Sequence, residues 1–165
     1  MTTPSTSLKI HNLADLPADQ IDQIEQLYVT PEQEIMGKSF TESLADWREL
    51  QGQHVLGYAI SHSGQMIGIV LFKCPPASPD WVAPGCASIH GLKITHHWQG
   101  RGLGHLAFRL SVDQMKRDWP DVQKLVLAVD PDNHSALRVY KAYGMKSCVS
   151  GQTGRDDIQL EIALG

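Results

Sequence analysis

Apolar positions along the chain repeat with two periods, and the switches between them outline the elements. Residues 8–13, Leu-Lys-Ile-His-Asn-Leu, alternate and predict a strand. After Pro17, the residues Ile21, Ile24, Leu27 and Tyr28 fall at helical spacing, in a helix that Thr30-Pro31 is expected to end. Residues 32–40 show no clear period and read as a loop. Residues 41–50 read as a second helix, with Thr41 as its cap and Leu44, Trp47 and Leu50 on one face. Residues 54–61 and 65–72 read as two strands, joined through His62-Ser63-Gly64 as a hairpin. The Pro-rich stretch 74–84 is a loop, and residues 87–95 form a fourth strand. Leu106, Leu110 and Met115 give residues 104–117 helical spacing. Residues 124–129 are almost continuously apolar, as in a strand buried on both faces. Residues 132–143 read as a helix stopped by Gly144, which suits a left-handed cap. Ile158, Leu160 and Ile162 alternate in a last strand.

This order predicts the α/β class: one domain over residues 8–165, with a mixed sheet flanked by helices. Thr2 to Ser7 is rich in Ser and Thr, so residues 1–7 are expected to be a flexible tail. A length of 165 residues suits a single core. The 42% hydrophobic and 19% charged fractions are ordinary for a globular protein. A net charge of −4 speaks against a nucleic-acid partner, whose phosphates demand basic surface. Cys74, Cys86 and Cys148 are odd in number and form no C-x-x-C pair. Neither a disulfide framework nor a structural zinc site is expected from them. With no apolar leader and no run long enough to span a bilayer, the expectation is a cytoplasmic protein without a membrane partner. Asn133-His134-Ser135 matches a glycosylation acceptor, but in that setting it is coincidental. The oligomeric state, a homodimer included, stays open.

The chemistry concentrates in Gln99-Gly100-Arg101-Gly102-Leu103-Gly104, between a predicted strand and a predicted helix. A helix start presents unpaired backbone N–H groups and the positive end of the macrodipole. Glycines let a phosphate approach those groups with no Cβ in the way, and Arg101 adds a cation. A diphosphate ligand is the natural guest. No lysine follows Gly104 as a P-loop requires, and glycines at 100, 102 and 104 miss the dinucleotide spacing. Taken alone, the glycines are also compatible with a tight strand-to-helix turn and nothing more.

Two blocks together resemble the GNAT family of N-acetyltransferases. Q-x-x-G-x-G after the strand His90-Gly91-Leu92-Lys93-Ile94, with Trp98 before the glutamine, is similar to that family's acetyl-coenzyme A signature. Asn133-His134-Ser135-Ala136-Leu137-Arg138-Val139-Tyr140-Lys141-Ala142-Tyr143-Gly144-Met145 is similar to its second pattern, N-x-x-A-x-x-x-Y-x-x-x-G-F, with Met145 in place of the aromatic. The resemblance spans residues 87–145. It implies a partly splayed sheet, acetyl-coenzyme A as co-substrate, and direct acetyl transfer to a primary amine. The acceptor would be a small cationic amine such as a polyamine, an amino acid, an amino sugar or a protein amino group. It further implies that Leu92 and Ile94 offer backbone groups to the pantetheine and that Gln99, Gly100, Arg101, Gly102, Leu103 and Gly104 hold the diphosphate. Asn133 would meet the pantetheine arm and Tyr140 would stand near the sulfur, as proton donor to the leaving thiolate. Asn133 and Tyr140, seven apart, share a helix face.

The base is open. Strand alternation puts Ser88, His90, Leu92 and Ile94 on one face, which makes His90 a candidate with a suitable intrinsic pKa. Related enzymes often carry a glutamate on this strand, and none is here. Glu32 and Glu34 could attract a cationic acceptor, and Trp47 and Trp81 could line its pocket. His96, His97 and His105 flank the glycines without a metal-binding pattern, so no metal is expected. His105, Arg138 and Lys141 fall near the expected phosphates or on an exposed helix face. A non-catalytic acyl-coenzyme A sensor that keeps the same site, or a nucleotide-binding protein of another fold, would share the glycine segment.

Overall fold

The computed structural model describes residues 7–50, 52, 54–148 and 156–165, so the tail expected at the start lies, but for Ser7, outside the described residues. The strands are β1 (Leu8–Asn12), β2 (Val55–His62), β3 (Gln65–Lys73), β4 (Cys86–Ile94), β5 (Lys124–Val129), β6 (Lys146–Ser147) and β7 (Ile158–Ala163). The α-helices are α1 (Ala18–Glu25), α2 (Pro31–Met36), α3 (Phe40–Leu50), α4 (Leu103–Asp118) and α5 (His134–Tyr143). The strands form one sheet in the order β1-β2-β3-β4-β5-β7-β6. Every neighbouring pair is antiparallel except β4 and β5. The β2–β3 hairpin turns on Ser63 (φ 51°) and Gly64 (φ 83°), the mirror-image turn whose twist matches paired strands.

Apolar residues cover both sheet faces. On one, Leu13, Ile24, Phe40, Leu44 and Trp47 pack against Ile69 and Leu71. On the other, Phe108, Val112, Met115 and Leu137 pack with Phe72, Leu125 and Leu127. Each fully buried side chain of this kind contributes about 1.5–3 kcal/mol. Tyr58 is buried here and donates its hydroxyl to Asp118 at 2.5 Å. Burial, then the neighbouring carboxylate, raises its pKa far above the usual phenol value. Tyr58→Phe is expected to cost about 1 kcal/mol, read as a lower urea midpoint at unchanged slope.

Two local readings change. The stretch expected to be a loop after Pro31 contains α2. Thr30 Oγ1 accepts from Gln33 N at 3.3 Å, and Gln33 Oε1 accepts from Thr30 N at 3.1 Å. With Pro31 in the first turn this is a complete capping box. Thr30-Pro31 therefore opens a helix instead of closing one, and α1 ends earlier, at Glu25. In α3 the cap is Ser39, not Thr41: Ser39 Oγ accepts from Glu42 N at 3.0 Å and Glu42 Oε1 accepts from Ser39 N at 3.1 Å. No residue of α2 is buried, so no apolar period announces it.

Candidate active site

The site begins with a seam that stops short. β4 and β5 pair at three positions only, Cys86↔Lys124, Ala87↔Leu125 and Ser88↔Val126. Beyond them β5 stays paired with β7 as far as Val129, while β4 stays with β3. The strands part and leave a notch. On the β3 side Leu71 pairs with His90 and Ile69 with Lys93, so Gly91 and Leu92 together oppose Val70. This is a β-bulge, and Gly91 (φ 66°) takes the left-handed conformation it needs.

The bulge corrects the expected alternation. One extra residue flips the parity of everything after it. Ser88, His90 and Lys93 share the face toward α3, where Lys93 Nζ donates to Ser43 Oγ at 2.6 Å. Leu92 and Ile94 turn to the opposite face, among the α4 residues Leu103 and Ala107. His90 is thereby separated from Leu92 and Ile94, and it does not line the cleft. It makes a 2.6 Å hydrogen bond with Ser88 Oγ. Burial, helped by the Lys73 charge, pushes its pKa down to about 3, so its imidazole is neutral and weakly basic.

At the notch opens a cleft of about 310 Å³. β4 contributes Leu92 and Ile94, α5 contributes Tyr140, and Asn133 stands at the N-cap of α5. The turn contributes Gln99, Gly100, Gly102, Leu103 and Gly104. Gly100 (φ 77°) and Gly102 (φ 76°) are both left-handed, and a Cβ on either would meet nothing within 4 Å. Gly102 is the N-cap of α4 and no side chain caps that end. The first N–H groups of a 16-residue helix thus face open space, where an anion gains about 0.3–1 kcal/mol from the dipole alone. Arg101 stands outside the lining. Its guanidinium stacks 4.7 Å from the Trp98 ring centre and donates to His97 O at 3.2 Å.

The remaining residues have defined partners. Gln99 Nε2 donates to Ile94 O at 2.8 Å and to Gln33 Oε1 at 3.2 Å, while Gln33 Nε2 donates back to Gln99 Oε1 at 2.9 Å. The Gln99 side chain therefore joins the end of β4 to α2. Asn133 Oδ1 accepts from Ala136 N at 3.3 Å and caps α5. Tyr140 is buried edge-on to Phe108, with ring centres 5.2 Å apart. Burial pushes its pKa up to about 12, so it keeps its proton at neutral pH.

Periodicity and motifs did not point to the other wall of the cleft. It is built by Gln33, Met36, Gly37 and Lys38 in and after α2, and by Lys93. The Thr-Pro-x-Gln capping pattern was the available sign for the first part, and a glycine inside a strand pattern was the sign of the bulge. Glu32 and Glu34 are exposed in the first turn of α2 and do not line the cleft. Trp47 is buried in the core, and neither it nor Trp81 lines the cleft. His105, Arg138 and Lys141 also lie outside it, and His96 and His97 pack around Tyr28. Among the described residues no three His, Cys, Asp or Glu side chains converge as metal ligands. No described helix is long and apolar enough to cross a membrane.

Residues 20–145 match the model of the acetyltransferase (GNAT) family. The chain belongs to the GNAT family. The described fold agrees. An aminoglycoside acetyltransferase solved with coenzyme A superposes on this GNAT chain with a TM-score of 0.72 at 17% identity, covering 96% of this chain and 95% of that one. The Campylobacter jejuni N-acetyltransferase PseH, solved with acetyl coenzyme A, gives 0.65 at 18% identity, covering 96% and 99%. In sequence, a Bacillus subtilis (strain 168) protein provisionally named a [ribosomal protein bS18]-alanine N-acetyltransferase is 33% identical over 66 residues, 40% of this chain. The match spans 42% of that relative's length.

Proposed function

We propose that this GNAT protein is an N-acetyltransferase that moves the acetyl group of acetyl-coenzyme A to a primary amine, by direct attack while both are bound. The observation that carries this reading is the uncapped start of α4 at the head of the β4–β5 notch, with Gly100 and Gly102 leaving the approach clear. Acetyl-coenzyme A supplies a diphosphate for that helix end and an activated thioester for the acceptor. In this reading the backbone N–H groups from Gly100 to Gly104 hold the diphosphate. The backbone of Leu92 and Ile94, freed from β5 by the splay, pairs with the extended arm as an added strand would. Their N–H groups also steady the carbonyl oxygen as charge develops on it. Asn133 fixes the start of α5 and so the direction of that helix. Tyr140 presents its O–H to the leaving sulfur.

The acceptor classes in view are a small cationic amine such as a polyamine, an amino acid, an amino sugar or a protein amino group. The structural neighbour is named for an aminoglycoside and the Bacillus subtilis protein is provisionally named for a ribosomal-protein alanine, which keeps several of these in view. Calorimetry with coenzyme A, ATP and NAD tests the site. We expect coenzyme A to bind at micromolar concentration and the two nucleotides far more weakly. Tight ATP binding with none for coenzyme A would overturn the assignment. Thiol release from acetyl-coenzyme A against an amine panel tests the transfer. Cofactor binding with no turnover on any amine would make the protein an acyl-coenzyme A sensor instead.

A further inference from the structure

The wall opposite the α4 turn has a charge pattern that the transfer reaction alone does not require. Lys38 and Lys93 line the cleft, and no carboxylate does among the described residues. Lys93 is half-buried where β4 bulges. Its ammonium donates to Ser43 Oγ at 2.6 Å and to Gly91 O at 2.8 Å, and the Phe40 ring centre lies 5.6 Å away. These partners are neutral, and no carboxylate lies within ion-pair distance of it among the described residues. Removing a cation from water without a counter-ion is costly. Burial accordingly pushes its pKa down to about 7, the nearby Lys38 charge adds to that, and Glu42 opposes it.

The surrounding charges set the size of the missing partner. Asp46 pairs with Lys73 at 2.8 Å and Lys38 at 3.4 Å. Glu42 is exposed and holds the Ser39 N–H of the helix cap. Asp46 thus takes up Lys73 and Lys38, and Lys93 is left as the cleft-lining amine with no carboxylate partner among the described residues; a bound carboxylate would hold it in its charged form. A monoanion complements it. A polyamine or another polycation would bring its charge against Lys38 and Lys93.

Resting on the transfer reading above, we infer that the acceptor is an amine that also carries a carboxylate, and that Lys93 is the specificity-determining residue that pairs with it. The class is that of amino acids and amine-bearing carboxylic acids.

Pairs of amines that differ only in the carboxylate test this, such as phenylalanine against phenethylamine and lysine against 1,5-diaminopentane. Two readouts are taken on wild type, Lys93→Met and Lys93→Arg. One is thiol release from acetyl-coenzyme A. The other is calorimetric binding of each amine to the protein saturated with coenzyme A. We expect the carboxylate-bearing member to bind and react about 10-fold better or more, with the difference in KM. Lys93→Met should erase that preference and Lys93→Arg should recover part of it, while coenzyme A affinity stays unchanged in all three. Equal or better use of the decarboxylated member by wild type would overturn the inference and leave acetyl transfer standing. A preference that survives in Lys93→Met would overturn the part given to Lys93. Absence of coenzyme A binding to wild type would instead defeat the transfer reading, and this inference with it.

Discussion

Gly102→Asp is expected to weaken coenzyme A binding by about 1,000-fold, roughly 4 kcal/mol, while leaving the protein folded. Gly102 is left-handed at φ 76°, which costs a non-glycine residue about 1 kcal/mol. A Cβ there meets nothing within 4 Å, so no clash adds to that cost. The loss comes from charge. An aspartate at the N-cap of α4 would set its carboxylate among the helix N–H groups that a diphosphate needs, filling the anion site from within. Gly102→Ala separates the terms, because it carries the strain without the charge. That strain is present with and without ligand, so the variant should be about 1 kcal/mol less stable and keep its affinity within about 5-fold. Calorimetry gives the affinities, and a thermal melt shows whether each variant is folded. A Gly102→Asp protein that binds coenzyme A normally would show that the diphosphate is held elsewhere.

Tyr140→Phe is expected to lower kcat by about 100-fold and to leave coenzyme A affinity within about 2-fold, because the lost bond is worth most to the charge of the leaving group. The ring stays, so the packing against Phe108 stays with it. The hydroxyl has no hydrogen-bond partner among the described residues, and stability should change little. Its pKa near 12 refines the role. Complete proton transfer from such a phenol to a thiolate of ordinary basicity, about 8.5, is uphill by several units. The O–H therefore acts mainly as a hydrogen-bond donor to the sulfur as charge accumulates. In consequence the rate should show no falling limb from this residue below about pH 11. Stopped-flow turnover across pH 6–10 checks both points, and equal activity in the phenylalanine variant would remove Tyr140 from the chemistry.

The sequence made legible those parts of the fold in which burial imposes a period. β5 is buried along most of its length and was read to the residue, as was the stop of α5 at Gly144. The glycine turn and the Asn133–Tyr140 spacing pointed to one wall of the cleft, because left-handed backbone and a shared helix face both leave marks on residue type. The opposite wall leaves few. α2 buries nothing and is held by a capping box, so its record is two polar residues and a proline. The bulge at Gly91–Leu92 defeated the alternation, because one inserted residue carries no period of its own yet exchanges the two faces. Lys93 became visible only after that exchange, which turned it toward α3 and moved His90 out of reach of Leu92 and Ile94.

The paired amides of Gln33 and Gln99 give the site a mechanical property. The Gln99 amide holds the last residue of β4 on one side and Gln33 of α2 on the other. Together with the hydrogen bonds of Tyr28, just ahead of α2, to Thr95 and His96, this pairing fixes how α2 approaches the end of β4. An outward swing of α2 must break these bonds together, so the α2 wall of the cleft is not free to move independently of the end of β4.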